Sequence, residues 1–193
     1  MKRLLPLLVL ALLACTAPAR AVDKSLITED DTWNLYTKLA PSLTELGSDT
    51  AIWGSVEVGG ILNGTLAIGL RGTTLLDEVS PGFDGYESVD QFDATLIGLN
   101  VEYTLFSESL VHGSVGLMVG GGTITLGGSD DTDVDLIMVE PALNLMINVT
   151  QTSELGLGVG YRYMDPDGGS ASGLDEGDFS GASLTLFLRL TEF

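Results

Sequence analysis

Cations, thiols and long apolar runs are all scarce in this chain, and each shortage removes a class of protein. Lys and Arg number 8 against 27 Asp and Glu in 193 residues, for a net charge of −19. Nucleic acid is excluded as a partner, because binding phosphates needs a basic footprint. The single Cys, Cys15, rules out a disulfide framework and a Cys-based metal cluster. No stretch reaches 18 uninterrupted apolar residues, so no transmembrane helix is expected. Charged residues make up only 18% and hydrophobic ones 45%, which is the reverse of a disordered chain. One domain is expected from the length.

The start of the chain reads as an address. Met1-Lys2-Arg3 is basic, Leu4 to Ala14 is apolar, and Ala19-Arg20-Ala21 has the small-x-small pattern of a cleavage site. Residues 1–21 are therefore expected to be a signal peptide and residues 22–34 an N-terminal periplasmic segment. Leu12-Leu13-Ala14-Cys15 also resembles a lipobox, which would make Cys15 a lipidation site. After cleavage five bases remain: Lys24, Lys38, Arg71, Arg162 and Arg189.

From Leu35 to the end the chain alternates with period two. Eight strands are predicted near 35–45, 51–62, 66–76, 94–106, 110–125, 136–149, 154–163 and 182–191. In the sixth, Ile137, Val139, Pro141, Leu143, Leu145, Ile147 and Val149 share one face, opposite Met138, Glu140, Ala142, Asn144, Met146 and Asn148. The fourth and eighth show the same division, with Ile97 to Leu105 at odd positions and Leu184 to Leu190 at even ones. A soluble lipocalin-like barrel would balance its apolar face with a Lys- and Glu-rich exterior, which these strands lack. An all-β, eight-stranded antiparallel up-and-down transmembrane β-barrel over residues 35–193 fits instead, with the aliphatic face toward lipid. Short connections (63–65, 107–109, 150–153) alternate with long polar ones (77–93, 126–135, 164–181). Short turns are expected in the periplasm and long loops outside, with both termini periplasmic. Residues 47–49 break that alternation.

Strand phase also assigns the interior. Lys38, Arg71, Arg162 and Arg189 fall on the polar face, as do Glu57, Glu102 and Glu140, so these seven are expected to form an ionic network inside the barrel. Pairing Leu62 with Leu66 sets Glu57 opposite Arg71, and the later hairpin brings Arg162 opposite or diagonal to Glu140. A narrow pore is an alternative use of the same residues. His112-Gly113-Ser114, with Glu102 facing Ser114 if Phe106 pairs with Leu110, has the parts of a nucleophilic triad. The spacing resembles that of some small outer-membrane lipid deacylases, which makes an outer-membrane lipid hydrolase the second alternative. The set would face the lumen near a turn, and no oxyanion donor accompanies it, so a non-enzymatic reading is preferred and no cofactor is called for.

The long connections hold fifteen carboxylates and no base: Asp77, Glu78, Asp84, Glu87, Asp90 and Asp93; Asp130, Asp131, Asp133 and Asp135; Asp165, Asp167, Asp175, Glu176 and Asp178. Asp130, Asp131 and Asp133 offer oxygen ligands for a cation without a complete calcium loop. Bridging to anionic lipopolysaccharide through divalent cations would use this charge, alongside contact with outer-membrane lipid.

Leu99 to Gly122, Val139 to Tyr163 and Gly173 to Leu190 resemble the small uncharacterised outer-membrane β-barrel proteins of Gram-negative bacteria. The resemblance implies a barrel in the cell outer membrane and carries over no activity. Phe193 resembles the terminal aromatic read by the outer-membrane assembly machinery. Its odd position is out of phase with Leu184 to Leu190, and a bulge near Thr191 would repair that. An envelope-integrity or surface-interaction role follows as the expected function.

Overall fold

The computed structural model describes residues 31–46, 49–77, 91–127, 132–166 and 180–192. Eight strands run in order: β1 (Trp33–Leu46), β2 (Asp49–Leu62), β3 (Leu66–Leu75), β4 (Gln91–Leu105), β5 (Val111–Gly127), β6 (Thr132–Asn148), β7 (Ser153–Pro166) and β8 (Gly181–Thr191). Each pairs antiparallel with its chain neighbours, and β1 pairs with β8 to close the barrel. Residues 1–21, expected to be a signal peptide and including Cys15, and Phe193 lie outside the described residues.

Closure is staggered. A row of paired residues from Lys38 runs through Glu57, Arg71, Gly98, Gly120 and Met138 to Met164 of β7. In the other direction Lys38 leads through Arg189 to Glu154, ten residues away on that same strand. Such a shear tilts the strands, so side chains distant in the hairpin pattern reach the same level of the lumen. The ladders β6–β7 and β1–β8 each lapse beside a proline, Pro141 and Pro41, which has no N–H to donate.

The aliphatic faces point out. Leu99, Leu143, Val159, Leu186 and their neighbours are exposed, while the alternate positions are buried. Trp33, Tyr103 and Phe106 add exposed aromatics at the end carrying the short turns, as in the aromatic girdle of membrane barrels. At that turn end Asn63 and Gly64 take φ of 51° and 67°, and the Thr65 N–H donates to the Leu62 carbonyl. Asn-Gly suits this left-handed turn because neither residue resists positive φ strongly.

Toward the other end the alternation changes sign. Beyond Ile137 the outward positions become Asp135 and Asp133, and the inward ones Leu136 and Val134. The Thr123 and Thr125 hydroxyls on β5 donate to the Asp135 and Asp133 carboxylates at 3.0 and 2.8 Å. β5 and β6 therefore extend through residues expected to be loop, and Asp133 and Asp135 are strand residues. Inside, Trp53, Leu96, Met118, Ile124, Leu136, Met138 and Met164 form an apolar plug. The wall here has a polar exterior and a greasy interior, as a water-immersed sheet requires. The polar-lumen expectation holds only for the turn-side part of the barrel.

Candidate functional site: the charged lumen

Every Lys and Arg among the described residues lies inside the barrel. Lys38, Arg71, Arg162 and Arg189 are all buried, as are Glu57, Glu102 and Glu140. Glu154 joins them at the lumen's turn-side edge, giving four cations and four carboxylates. Burying a charge costs several kcal/mol unless it is paired, so the arrangement of these eight decides whether the barrel closes.

Six residues form one chain of contacts. Lys38 Nζ lies 2.8 Å from Glu102 Oε2 and 3.6 Å from Glu57 Oε2. Arg189 pairs with Glu102 through Nη2 and, at 3.1 Å, with Glu154 through Nη1. His112 Nε2 approaches Glu154 Oε1 at 3.5 Å. Glu57 also accepts from the Tyr36 hydroxyl and, at 2.9 Å, from Asn100 Nδ2. The Lys38 ammonium lies 4.8 Å from the Phe187 ring centroid, and the Arg189 guanidinium 5.4 Å from that of Tyr36, so aromatic faces back the cations.

A second group sits nearer the plug. Arg162 Nε donates to Glu140 Oε2 at 2.9 Å, and the Ser183 hydroxyl donates to Glu140 Oε1 at 3.2 Å. The Arg162 guanidinium stacks 4.8 Å from the centre of a Trp53 ring. Arg71 Nη2 reaches Ser55 Oγ at 3.2 Å. Between the groups is a cavity of about 20 Å³ lined by Lys38, Arg71, Asn100, Glu102, Glu140 and Asn144, room for about one water. Toward the turn end the lumen widens to a vestibule of about 700 Å³, with Asn34, His112, Asn148, Glu154 and Arg189 in its lining.

Several sequence expectations meet this geometry differently. Glu57 and Arg71 do face each other in the β2–β3 register, yet Glu57 turns to Lys38 and Tyr36 instead. The flanking pairs Val139–Tyr163 and Ala142–Gly160 bring Arg162 level with Glu140, and these two are bonded. Gly156, Gly158 and Gly160 leave room that Phe187, Asn144 and Ser183 occupy; a methyl group on Gly156 would meet the Phe187 ring at 2.1 Å.

The Ser-His-Glu set is not assembled. Ser114 faces Thr104, and Glu102 faces Gly116, two residues out of the expected register. The cause is the turn, in which Phe106 adopts φ of 59° and its carbonyl accepts from the Ser109 N–H, shifting the β5 pairing. Ser114 Oγ accepts from Asn144 Nδ2 at 3.0 Å, and His112 turns to the Ser109 carbonyl and Glu154. No base is hydrogen-bonded to the serine, as nucleophile activation requires. Among the metal candidates, Asp133 is bonded to Thr125, while Asp130 and Asp131 lie outside the described residues. Glu154, Tyr36, Asn100 and Asn144 were not foreseen as part of the network, although all four have the inward parity of their strands.

No protein-family model and no curated protein matches the chain. Solved structures do. Neisserial surface protein A superposes with a TM-score of 0.60 at 16% identity, covering 84% of this chain and 99% of that one. The N-terminal β-barrel domain of Pseudomonas aeruginosa OprF gives 0.60 at 11%, covering 82% and 97%. Ail, the attachment invasion locus protein of Yersinia pestis, gives 0.52 at 12%, covering 86% and 100%. The fold is that of small eight-stranded outer-membrane barrels. The exterior of this barrel is likewise clothed in aliphatic side chains.

Proposed function

We propose that this barrel is a non-enzymatic envelope component that supports outer-membrane integrity and contacts other molecules at the cell surface. One observation carries the reading: all four described cations lie inside the lumen, three of them paired with carboxylates, and the only charges presented by the described residues of the barrel's loop-end exterior are acidic. Glu45, Asp93, Asp133 and Asp135 face outward there, below long connections richer still in Asp and Glu. A surface of this sign repels anionic lipopolysaccharide directly. Divalent cations, held between these carboxylates and the lipid's anionic groups, supply the attraction, since hard cations prefer several oxygen ligands.

The interior favours a structural role over transport. The ionic chain and the apolar plug fill successive levels of the lumen, in keeping with an eight-stranded barrel just wide enough for its own side chains. Lipid contact is tested by purifying the protein from outer membranes in magnesium and in EDTA. Lipopolysaccharide should co-purify in magnesium and be lost in EDTA. Retention in EDTA would remove the cation bridge. Steady conductance in planar bilayers would replace the structural reading with a pore.

A further inference from the structure

We propose that the turn-side vestibule binds one divalent transition-metal ion, of the zinc class, between His112 and Glu154. His112 is the only histidine in the chain. Inward parity on β5 and β7 brings it and Glu154 to the wall of the vestibule of about 700 Å³, beside Asn148 and Arg189. Both side chains are already oriented. His112 Nδ1 lies 3.2 Å from the Ser109 carbonyl. A carbonyl only accepts, so Nδ1 carries the proton of the neutral ring, and the Nε2 lone pair is left facing Glu154 Oε1, 3.5 Å away. The turn holds Ser109 through its N–H to the Phe106 carbonyl. Arg189 Nη1 holds the other Glu154 oxygen, Oε2, at 3.1 Å. Each proposed ligand thus has an outer partner that fixes it, as metal-binding imidazoles and carboxylates do.

Spacing and charge both favour an ion here. A charge-assisted N–H to carboxylate hydrogen bond spans about 2.7–2.9 Å, well short of the 3.5 Å between these atoms. Two ligands each about 2.0–2.1 Å from a tetrahedral zinc ion lie about 3.4 Å apart. The ion would then sit about 1 Å off the line between them, on the vestibule side, where the Glu154 side chain is 23% exposed. In this turn-side group Lys38 and Arg189 face three carboxylates, Glu57, Glu102 and Glu154. With His112 neutral, one positive charge is lacking, and Glu108 on the vestibule wall adds a further acid. The balancing surplus, Arg71 and Arg162 against Glu140, belongs to the group nearer the plug. A divalent ion supplies the missing charge, and water from the vestibule fills its remaining positions. Imidazole nitrogen suits zinc, whereas magnesium and calcium take oxygen ligands. The outward acids of the loop end have no part in this site.

As the sole histidine, His112 reports on the site directly. The full untagged chain, with labelled histidine, is refolded in detergent micelles and titrated with zinc chloride by NMR. Zinc should shift the Nε2 resonance and leave the proton on Nδ1, while magnesium chloride at the same concentration should change neither. E154Q should weaken the zinc response at least about tenfold, since losing a ligand costs no less than losing an outer partner. A ring unmoved by excess zinc, or an equal response in E154Q, overturns the proposal. Crystals of the wild-type protein grown with zinc give a reading that needs no variant. One anomalous peak is expected within coordination distance of both His112 Nε2 and Glu154 Oε1, and zinc confined to the acidic exterior overturns the proposal as well.

Discussion

Arg189 of β8 pairs with Glu102 of β4, 87 positions away in sequence and on the opposite wall of the barrel. Lys38 meets the same carboxylate at 2.8 Å, so a single glutamate joins three strands through the lumen. Removing it leaves Lys38 only the longer contact to Glu57, at 3.6 Å, and Arg189 only the partly exposed Glu154. E102Q should cost about 3–5 kcal/mol, the usual consequence of breaking a buried ion pair from one side. Urea unfolding in detergent micelles measures this, and a midpoint unchanged from wild type would remove Glu102 from the centre of the network. Adding K38M to E102Q should recover part of the loss, because one under-compensated buried charge is then gone.

Gly156 and Phe187 are complementary in volume. With Phe187 filling the space over the glycine, G156A should destabilise the barrel by about 1–3 kcal/mol through overpacking. F187L in the same chain should relieve most of that cost. A double-mutant cycle on unfolding midpoints reads the coupling directly, and additive losses would show that the two side chains do not share that space.

Ser114 is a structural hydroxyl in this lumen. S114A removes one acceptor for Asn144 and should cost about 1 kcal/mol. Membrane lipid composition should not change, because the serine has no base. Mass spectrometry of outer-membrane lipids from expressing cells checks it: a lipid species lost with S114A would restore the hydrolase reading.

On the exterior, L99R places a cation in the lipid-facing belt and should cost about 2–4 kcal/mol if the residue lies near the bilayer midplane. T125K, beside Asp133 on the polar projecting wall, should be nearly neutral. Refolding into liposomes and comparing the two midpoints tests where the lipid boundary runs.

Much of this architecture is written in local alternation. The odd-numbered aliphatic residues of β4 and β6 and the even-numbered leucines of β8 fix which side of each strand meets lipid, and Asn63-Gly64 sets the β2–β3 register. Side chains meeting across the lumen are less accessible to such reading. Strand phase says that Glu57 points inward, but the ten-residue shear decides that Lys38 and Tyr36, more than Arg71, engage it. The turn at Phe106 was hidden because a phenylalanine in the left-handed region carries no sequence signature of the kind glycine does. The apolar plug did leave a signal: polarity reverses between Asp135 and Ile137 without any change of phase. Reading hydrophobicity alone, instead of parity first, places that wall in a loop.

The two tryptophans of the chain allow the most direct measurement of orientation. Trp33 stands on the outer surface and Trp53 is sealed in the lumen. In liposomes of brominated lipid, W53F protein, which retains only Trp33, should lose much of its fluorescence, whereas W33F protein, which retains only Trp53, should keep it. Strong quenching of Trp53 with Trp33 spared would contradict a barrel whose greasy face meets lipid and whose ions lie within.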